Sequence, residues 1–466
     1  MNNVVEKVLP FDYCCGCGVC SAVCPHGCLE MKLGENGEYR PVSLDPSQCT
    51  SCGLCLQVCP YSGEVPENEE TLGLQLFPEG KKEHSDNLGQ WDETFCGATN
   101  DEEHRLKAPS GGLATSLLCA LLESHKIDGA IVAKPSLESP WFQPTIAYTP
   151  EEIRQTTGSV YHVMTFGPVL REILQGPEKR YAIVALPCVV KALRLAQKKL
   201  PRLKDRLPFI FSLTCGGCNC LHVADLLCVM LRSRKLGLKY RSKTNSTKSP
   251  DFRITTFSQQ DERQVRMLGL FGFLWINHVG QLKTCGMCDD LFGMLADATF
   301  MDAWLEDYFL EPRGTNLIIT RNPEITELVK SEIARGAVSA ETINPELVMK
   351  SQEVAMNERA YLSALRYDYE KTHRPEGSIM PCKRDLITQR TLTKEEKKEA
   401  VRRLRFHQQT RKYLAKMSRY HSNPDHFYPR IYVYRVFWKV LCSLIRNGLL
   451  EKTLHSLKFA KDKRNK

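Results

Sequence analysis

The chain has no hydrophobic run long enough to cross a lipid bilayer. A membrane-spanning helix needs about 20 mainly apolar residues, and the 466-residue sequence contains no comparable uncharged stretch. Residues 1–15 contain no basic segment followed by an apolar one, so they do not resemble a secretory signal. These two absences predict a cytoplasmic protein, in which cysteines stay reduced.

Two common nucleotide-binding motifs are also missing. The chain contains neither G-x-G-x-x-G, which is typical of Rossmann dinucleotide sites, nor G-x4-G-K-[ST], which is typical of P-loops. A flavin would therefore need a different kind of binding site.

Positive charge is concentrated at one end of the chain. The net charge is +9, from 63 Lys plus Arg and 54 Asp plus Glu. Residues 401–466 contain 17 basic and 3 acidic residues, a net charge of +14, so residues 1–400 carry −5. Because most of the chain is mildly acidic, the sequence does not predict a nucleic-acid-binding protein.

Cysteine is abundant, with 21 residues, and eight of them form an internal repeat. Both halves read C-x2-C-x2-C-x3-C-P, with an offset of 35 residues. In this spacing the first three thiolates bind three irons of a cubane cluster, and the fourth binds the other cluster. We predict one [4Fe–4S] cluster on Cys14, Cys17, Cys20 and Cys59, and a second on Cys49, Cys52, Cys55 and Cys24.

Zinc is the alternative metal that these cysteines could bind. Structural zinc usually takes four ligands, often from two separated CxxC pairs, which fits the doubled pattern poorly. Residues 8–64 instead resemble a bacterial-type two-cluster ferredoxin. Cys15 and Cys28 fall outside the repeat and are interpreted as packing residues. Residues 65–104 are strongly acidic and are interpreted as a linker or a loosely docked strap.

Strand-like and helix-like segments alternate in the middle of the chain. The order β-α-β-α predicts a mixed sheet that is at least partly parallel. The predicted fold is an α+β multidomain protein with a ferredoxin-like head, an α/β body and a basic helical tail. The main predicted strands cover residues 130–134, 145–149, 180–186 and 207–214, and the main helices begin near residues 113, 169, 189 and 222.

Four further cysteines come from three loops of this predicted body. Two of them follow predicted strands, at the edge where open α/β sheets build their sites. The other two form a CxxC ahead of the strand-like residues 296–301. A third cluster on these four is one interpretation, and buried core thiols are the other. The four are Cys188, Cys215, Cys285 and Cys288, with Cys218 and Cys220 as competing ligands.

The best local candidate for a flavin loop is Ser110-Gly111-Gly112, directly before a predicted helix. Ser110 is predicted to be the N-cap of this helix. Glycines there would let a ligand reach backbone N–H groups, and the helix dipole favours phosphate. The alternative is an ordinary helix cap without a ligand.

The order of the motifs resembles a known family. The sequence reads APSGGLATSLLCALLES, IDGAIVA, TTGSVYHVM, ALPCVVKALR, LTCGGC, KTCGMCDDLFGMLADATFMDAW and RGTNLIITR. This is similar to the coenzyme F420 hydrogenase/dehydrogenase beta-subunit family, which includes deazaflavin-reducing hydrogenases and chlorophyll-pathway reductases. The resemblance spans roughly residues 90–340, and it implies domains at 105–178 and 179–345, followed by a tail at 346–466.

The resemblance implies FAD and one [4Fe–4S] cluster close to it. The implied cluster ligands are Cys188, Cys215, Cys285 and Cys288. The residues implied to line the FAD are Ser110, Gly111, Gly112, Thr115, Gly158, Ser159 and Tyr161. Asp297 and Asp302 match an acidic signature of less certain role. The chain has Cys215-Gly216-Gly217 where the family often has Cys-His-Gly, which leaves the substrate open.

By resemblance, the expected function is that of an oxidoreductase. It would exchange a hydride with a two-electron partner such as coenzyme F420 at FAD, and pass single electrons through the clusters. An electron-transfer subunit without an organic substrate is the alternative, and a redox-sensing or assembly protein is a third. No catalytic acid or base is identified, because His104, His162 and His222 are each more typical of structural histidines.

The basic tail contains two helix-like segments, at residues 392–421 and 431–450. The second is basic, amphipathic and aromatic, which is compatible with a peripheral position at the inner membrane face. Docking on the body or on a partner is the alternative, and it is the favoured interpretation.

Overall fold

The computed structural model describes residues 2–78, 83–231, 237–244, 251–257, 262–267, 269–373, 387, 389–418 and 429–450. Within these ranges, none of the helices is both long and apolar enough to span a membrane.

The head is built from short elements around its cysteines. A two-stranded antiparallel hairpin, β1 (Leu29–Leu33) and β2 (Tyr39–Ser43), separates the two halves of the cysteine repeat. The helices are α1 (Val4–Lys7), α2 (Val19–Ala22) and α3 (Leu54–Gln57), and 3-10 turns cover Leu9–Phe11 and Pro46–Gln48.

The acidic segment 65–104 differs from the linker that its composition suggests. It contains α4 (Glu69–Leu76), β3 (Glu83–Ser85), β4 (Gly89–Trp91) and β5 (Glu93–Thr99). Phe95, Cys96 and Ala98 of β5 are buried, and this strand is hydrogen-bonded on both sides within the main sheet. The acidic residues flank an apolar strand, so the average composition conceals part of the body.

The main sheet has eight strands in the order β15-β5-β14-β13-β9-β8-β6-β7. The four central strands β13, β9, β8 and β6 run parallel to one another. The other neighbouring strands of the sheet pair in antiparallel fashion. This confirms the predicted fold class. The strands of the body after β5 are β6 (Gly129–Pro135), β7 (Phe142–Ala147), β8 (Tyr181–Ala185), β9 (Phe209–Leu213), β10 (Gly237–Ser242), β11 (Arg253–Phe257), β12 (Glu262–Arg266), β13 (Ala298–Asp302), β14 (Asn316–Thr320) and β15 (Val338–Thr342).

Helices cover both faces of the sheet. Successive strand residues point to opposite faces, so Ile183 packs with α8, α9 and the head, whereas Ala182 packs with α6 and α13. The head therefore shares one continuous core with the body. The helices of the body are α5 (Glu102–Lys107), α6 (Leu113–Glu123), α7 (Pro150–Gln155), α8 (Gly167–Gln175), α9 (Pro187–Lys199), α10 (Pro201–Arg206), α11 (Leu221–Met230), α12 (Leu270–Ile276), α13 (Pro323–Ala334) and α14 (Pro345–Ser351).

The three described helices of the tail each contact the body. Its helices are α15 (Glu353–His373), α16 (Lys394–Ser418) and α17 (Pro429–Arg446). Val440 and Leu444 of α17 are buried in one cluster with α11 and the antiparallel sheet β10-β11-β12. This agrees with the docked interpretation. Trp438 and Ile445 of the same helix are 64% and 55% exposed, and contact with a membrane through them stays a prediction.

Candidate functional site

The head divides its cysteines into two groups. In the inner head group (Cys14, Cys17, Cys20 and Cys59), burial raises the pKa of Cys20 well above its usual value, and the thiols of Cys14 and Cys59 raise it further. Cys59 comes from the second half of the repeat, yet it lies beside cysteines of the first half. This neighbourhood fits the crossed ligand pattern that the spacing predicts.

The outer head group (Cys49, Cys52, Cys55 and Cys24) lies nearer the surface, and Cys52 is exposed. Burial raises the pKa of Cys55, and the thiols of Cys24 and Cys52 contribute in the same direction. Cys24 thus crosses to the second half of the repeat. The thiol of Cys28, interpreted as a packing residue, lies 3.5 Å from that of Cys24.

The backbone of the head is shaped to approach sulfur. The Gly16 N–H donates to Cys14 Sγ at 3.4 Å, the type of bond that tunes iron–sulfur clusters. Gly18 has φ of +81° and begins α2. A Cβ at Gly18 would lie 2.5 Å from the backbone nitrogen of Gly167, at the start of α8. The glycine is therefore required both by its conformation and by the close approach of head and body.

The structure also brings together the four cysteines that the sequence places in three different loops. We call Cys188, Cys215, Cys285 and Cys288 the body group. Cys188 lies in the first turn of α9, and Cys215 lies two residues after β9. Cys285 lies in the 3-10 turn Lys283–Met287, which Cys288 directly follows.

Electrostatic contacts join these four thiols. A hydrogen bond with the Cys15 thiol raises the pKa of Cys188 well above its usual value, as do burial and the thiols of Cys15, Cys288 and Cys215. Burial raises the pKa of Cys285 to about 12, and the thiols of Cys215 and Cys288 contribute to this increase. Four such thiols on three loops are a suitable donor set for a cubane cluster, since its ligands bind separate iron corners.

The competing cysteines differ in their positions. Cys218 is buried, and after burial the thiols of Cys285 and Cys215 are the main causes of its raised pKa, so it lies at the edge of the body group. Cys220 packs in the helical core instead, where a Cβ at Gly280 would be 3.3 Å from its sulfur. Among the described residues, no three His, Cys, Asp or Glu side chains are close enough to hold a single metal ion.

Two residues lie between the inner head group and the body group. The neighbouring thiols of Cys17 and Cys188 lower the pKa of Cys15 well below its usual value, so Cys15 lies close to one thiol of each group. Tyr61 is buried, and burial followed by the thiols of Cys288 and Cys188 raises the pKa of its hydroxyl. Cys15 also packs against the core that head and body share, which agrees with its interpretation as a packing residue.

The tail contributes an arginine to the body group. From α15, the Arg359 guanidinium donates to the carbonyl oxygens of Cys215 at 2.9 Å, Cys285 at 3.2 Å and Cys288 at 3.4 Å. Ser363, one turn later, donates to the Cys288 carbonyl at 2.7 Å. No sequence motif indicated either residue.

A cavity of about 310 Å³ lies beside the predicted flavin residues, at the lower end of the usual size range for ligand sites. Gly158 and Ser159 line it. Tyr161 is hydrogen-bonded to Ser159 and Arg241, and Thr115 Oγ1 is 3.4 Å from Oγ1 of Thr157 in the lining. The lining also contains aromatic and basic side chains, which suit a planar ring and phosphates, together with two carboxylates: Phe142, Phe257, Lys107, Arg154, Lys239, Asp101 and Glu103.

The prediction that Ser110 caps α6 is wrong. The N-cap is Gly112, with φ of +83°, and Ser110 Oγ donates to the carbonyl of Thr315 at 2.9 Å. Asn316 Oδ1 accepts a hydrogen bond from the Leu113 N–H at 3.1 Å. A residue far away in the sequence thus satisfies an N–H group at the start of α6. The carbonyl of Gly112 contacts His104, which lines the cavity. The glycine loop therefore lies behind the cavity wall and holds His104 in place.

A half-buried lysine also supports this loop. Lys243 donates to the carbonyls of Arg105, Ser110 and Arg313, and thereby joins α5, the glycine loop and the segment before β14. Sequence reasoning missed Lys243, because its three partners are brought together only by the fold.

Of the three histidines considered, only His104 lines this cavity. His162 is buried between the Tyr240 hydroxyl at 2.7 Å and the Pro140 carbonyl at 2.9 Å, and burial lowers its pKa to about 4. His222 lies 2.8 Å from the Glu35 carbonyl. The last two therefore have structural partners.

The two acidic signature residues also pair with arginines. Asp302 binds Arg241 through two bonds of 2.8 and 2.9 Å, next to Tyr161. Asp297 binds Arg194 at 2.8 Å and accepts from the Ile210 N–H in the buried sheet. Asp302 therefore orders the environment of Tyr161, whereas Asp297 stabilises the strands.

Comparison with known proteins gives three matching regions. Residues 178–346 match the C-terminal part, and residues 94–171 the N-terminal part, of the family described as coenzyme F420 hydrogenase/dehydrogenase, beta subunit. Together these two regions cover more than half of the chain. Residues 13–62 match a 4Fe-4S dicluster domain.

Several individual proteins are similar to the chain. The coenzyme F420 hydrogenase subunit beta of Methanothermobacter thermautotrophicus is 23% identical over 266 residues, which is 55% of this chain and 86% of that protein. The F420-dependent formate dehydrogenase 1 subunit beta of Methanococcus maripaludis is 28% identical over 112 residues, 24% of this chain and 28% of that protein. A chain of the F420-reducing [NiFe] hydrogenase complex from Methanosarcina barkeri, 20% identical, covers 62% of this chain and 96% of its own length with a TM-score of 0.49.

These matches confirm the resemblance that the order of the motifs indicates. The chain belongs to the coenzyme F420 hydrogenase/dehydrogenase beta-subunit family of oxidoreductases and carries a 4Fe-4S dicluster domain in its N-terminal head.

Proposed function

We propose that this protein is an FAD- and iron–sulfur-dependent oxidoreductase. It exchanges a hydride with a two-electron partner, coenzyme F420 or a related compound, and relays single electrons through three [4Fe–4S] clusters. The convergence of the body group beside the inner head group carries the proposal. It supplies ligands for a third cluster between the cavity-bearing body and the head.

The order of the clusters follows from burial and contact. The outer head group includes the exposed Cys52 and faces a redox protein partner. The inner head group comes next, and Cys15 connects it to Cys188 of the body group. Electrons would thus travel between the protein surface and the body in three steps, in a direction that depends on the cluster potentials.

The cavity of 310 Å³ is proposed to hold part of the FAD. When bound, FAD supplies a group that exchanges electron pairs with an organic substrate and single electrons with a cluster. Gly158 and Ser159, which line the cavity, would contact it, and Tyr161 is held in place by Arg241. Lys107 and Arg154 would face its phosphates, and each is paired with a carboxylate of the same lining, Glu103 and Asp101 respectively. His104, on the same wall, is held by the Gly112 carbonyl.

Anaerobic purification with iron, sulfide and flavin assays tests the cofactor content. We expect about twelve irons and one FAD per chain, since three cubanes hold four irons each. About eight irons would remove the third cluster, and a chain without flavin would overturn the proposal as a whole.

Activity is tested by anaerobic flavin bleaching. Reduced F420, NADH, NADPH and reduced ferredoxin are offered separately, first without an acceptor to observe bleaching and then with an artificial acceptor to measure turnover. Bleaching by reduced F420 or a nicotinamide donor supports a substrate site on this chain.

A second function is an electron-transfer subunit without its own organic substrate. It is favoured by the names of the relatives, which are described as subunits of a hydrogenase and of a formate dehydrogenase. In that case the flavin is reduced only when a protein partner is present, and the organic donors alone have no effect.

A further inference from the structure

The guanidinium of Arg359 lies against the body group but comes from outside the matched family region, which ends at residue 346. Helix α15 places it there, and its side chain is buried, with the residue 7% exposed. Its three acceptors belong to two loops, the one after β9 and the turn that precedes β13. A single side chain thus ties together the loops that carry Cys215, Cys285 and Cys288.

The planar fork of arginine suits this task. Its five N–H groups reach several acceptors at fixed angles, whereas the ammonium group of lysine is a single point charge. The three acceptors are neutral carbonyls, so they do not cancel the positive charge of the guanidinium. In the described part of the chain no ion pair joins Arg359 to a carboxylate, whereas Arg366 on the same helix is paired with Glu370.

We propose that Arg359 is a positioning residue that holds the ligand loops of the third cluster and raises the reduction potential of that cluster. This inference rests on the proposed function, because it requires a cluster on the body group. Reduction adds negative charge to the cluster, and a buried cation nearby stabilises the reduced state. The tail would then tune the electron relay as well as cover it.

The experiment is an anaerobic redox titration followed by electron paramagnetic resonance, with iron content measured on the same samples. The full-length protein is compared with Arg359→Gln, which removes the charge, and Arg359→Lys, which keeps it. The double variant Arg366→Gln with Glu370→Gln is the matched control, because it removes an equally buried ion pair from the same helix and leaves the net charge unchanged.

We expect one of three midpoint potentials to fall in Arg359→Gln, with the other two unchanged. In Arg359→Lys that midpoint stays near the wild-type value, but a chelator removes about four irons faster, because a lysine cannot hold both loops. If Arg359→Gln loses about four irons outright, the positioning role is supported and the midpoint of Arg359→Lys tests the charge.

Two results overturn the inference while leaving the proposed function intact. The first is an unchanged set of midpoints in Arg359→Gln at full iron content. The second is a shift of the same size in the double variant at Arg366 and Glu370. A wild-type protein with only about eight irons overturns both the inference and the third cluster, so the two failures are distinguishable.

Discussion

The head and the body group use cysteine in opposite ways. The eight cysteines of the head fall within 46 consecutive residues, and short loops alone bring most of them together. The four of the body group are spread over 101 residues, and they meet only because β8, β9 and the turn before β13 converge. A site whose ligands are close in sequence can be predicted from their spacing. A site whose ligands come from distant loops depends on the fold, so any change that destabilises the fold also disturbs the site.

The largest expected effect breaks the body group directly. Cys285→Ser should lower the iron content from about twelve to about eight and stop electron transfer from the flavin to the head. Iron analysis and flavin-to-dye electron transfer measure this.

Two further cysteine variants serve as controls. Cys220→Ser should keep all its iron, because Cys220 packs away from the group. Cys218→Ser tests the competing ligand, and loss of iron there but not in Cys285→Ser would assign the ligands differently.

The next prediction tests how far the head depends on the body. Gly18→Ala should destabilise the protein by about 2–5 kcal/mol, because a Cβ at φ of +81° meets the backbone of Gly167. Gly27→Ala is the control, since it also has positive φ but nothing within 4 Å, and should cost about 1–2 kcal/mol. Denaturant unfolding under anaerobic conditions compares the two, and equal losses would mean that the contact at Gly18 is unimportant.

A smaller effect is expected where the tail contacts the head. Arg411 of α16 pairs with Asp12 and with Glu38, the latter at 2.7 Å, in a mostly buried network that also contains Arg40. Arg411→Met should cost about 2–3 kcal/mol, since it leaves two carboxylates with one arginine.

The control for this network is an exposed ion pair on the same helix. Lys398→Met breaks the exposed pair with Glu395 and should cost less than about 1 kcal/mol. Thermal unfolding measures both variants, and similar melting temperatures would contradict a structural role for the network.

The smallest expected effect concerns pH. Burial lowers the pKa of His162 to about 4, so the unfolded chain binds the additional proton between about pH 6.5 and pH 4. Stability is therefore lost as the pH falls through this window, by about 1–2 kcal/mol between pH 7 and pH 5. His162 is bridged to Asn219, and Asn219 to Gln281, close to the body group.

We expect acid to release iron from the body group before the head, and His162→Gln to weaken the pH dependence. Iron release and unfolding at about pH 7 and pH 5 measure both effects. Simultaneous loss of all iron would contradict the difference between the two regions.

What the sequence could predict follows the same division. Spacing alone indicated the pairing of Cys59 with the first half of the repeat, because the ligand pattern of a two-cluster head is local. Periodicity indicated the parallel strands. Periodicity could not indicate that Asn316 would cap α6, because Asn316 lies 203 residues from Leu113, from whose N–H it accepts a hydrogen bond. The nearby Ser110 was the obvious local candidate for the same role. Arg359 and Lys243 were missed for the same reason, as neither belongs to a local pattern.

The contact of Cys15 with thiols on both sides has a consequence for protein engineering. The side chain of Cys15 lies between the inner head group and the body group. The ferredoxin-like head is therefore not an interchangeable module. A foreign ferredoxin placed at this position would need a glycine at the place of Gly18 and a side chain that fits the space of Cys15. Without both, we expect it to bind its own clusters but to interrupt the proposed electron relay to the body group.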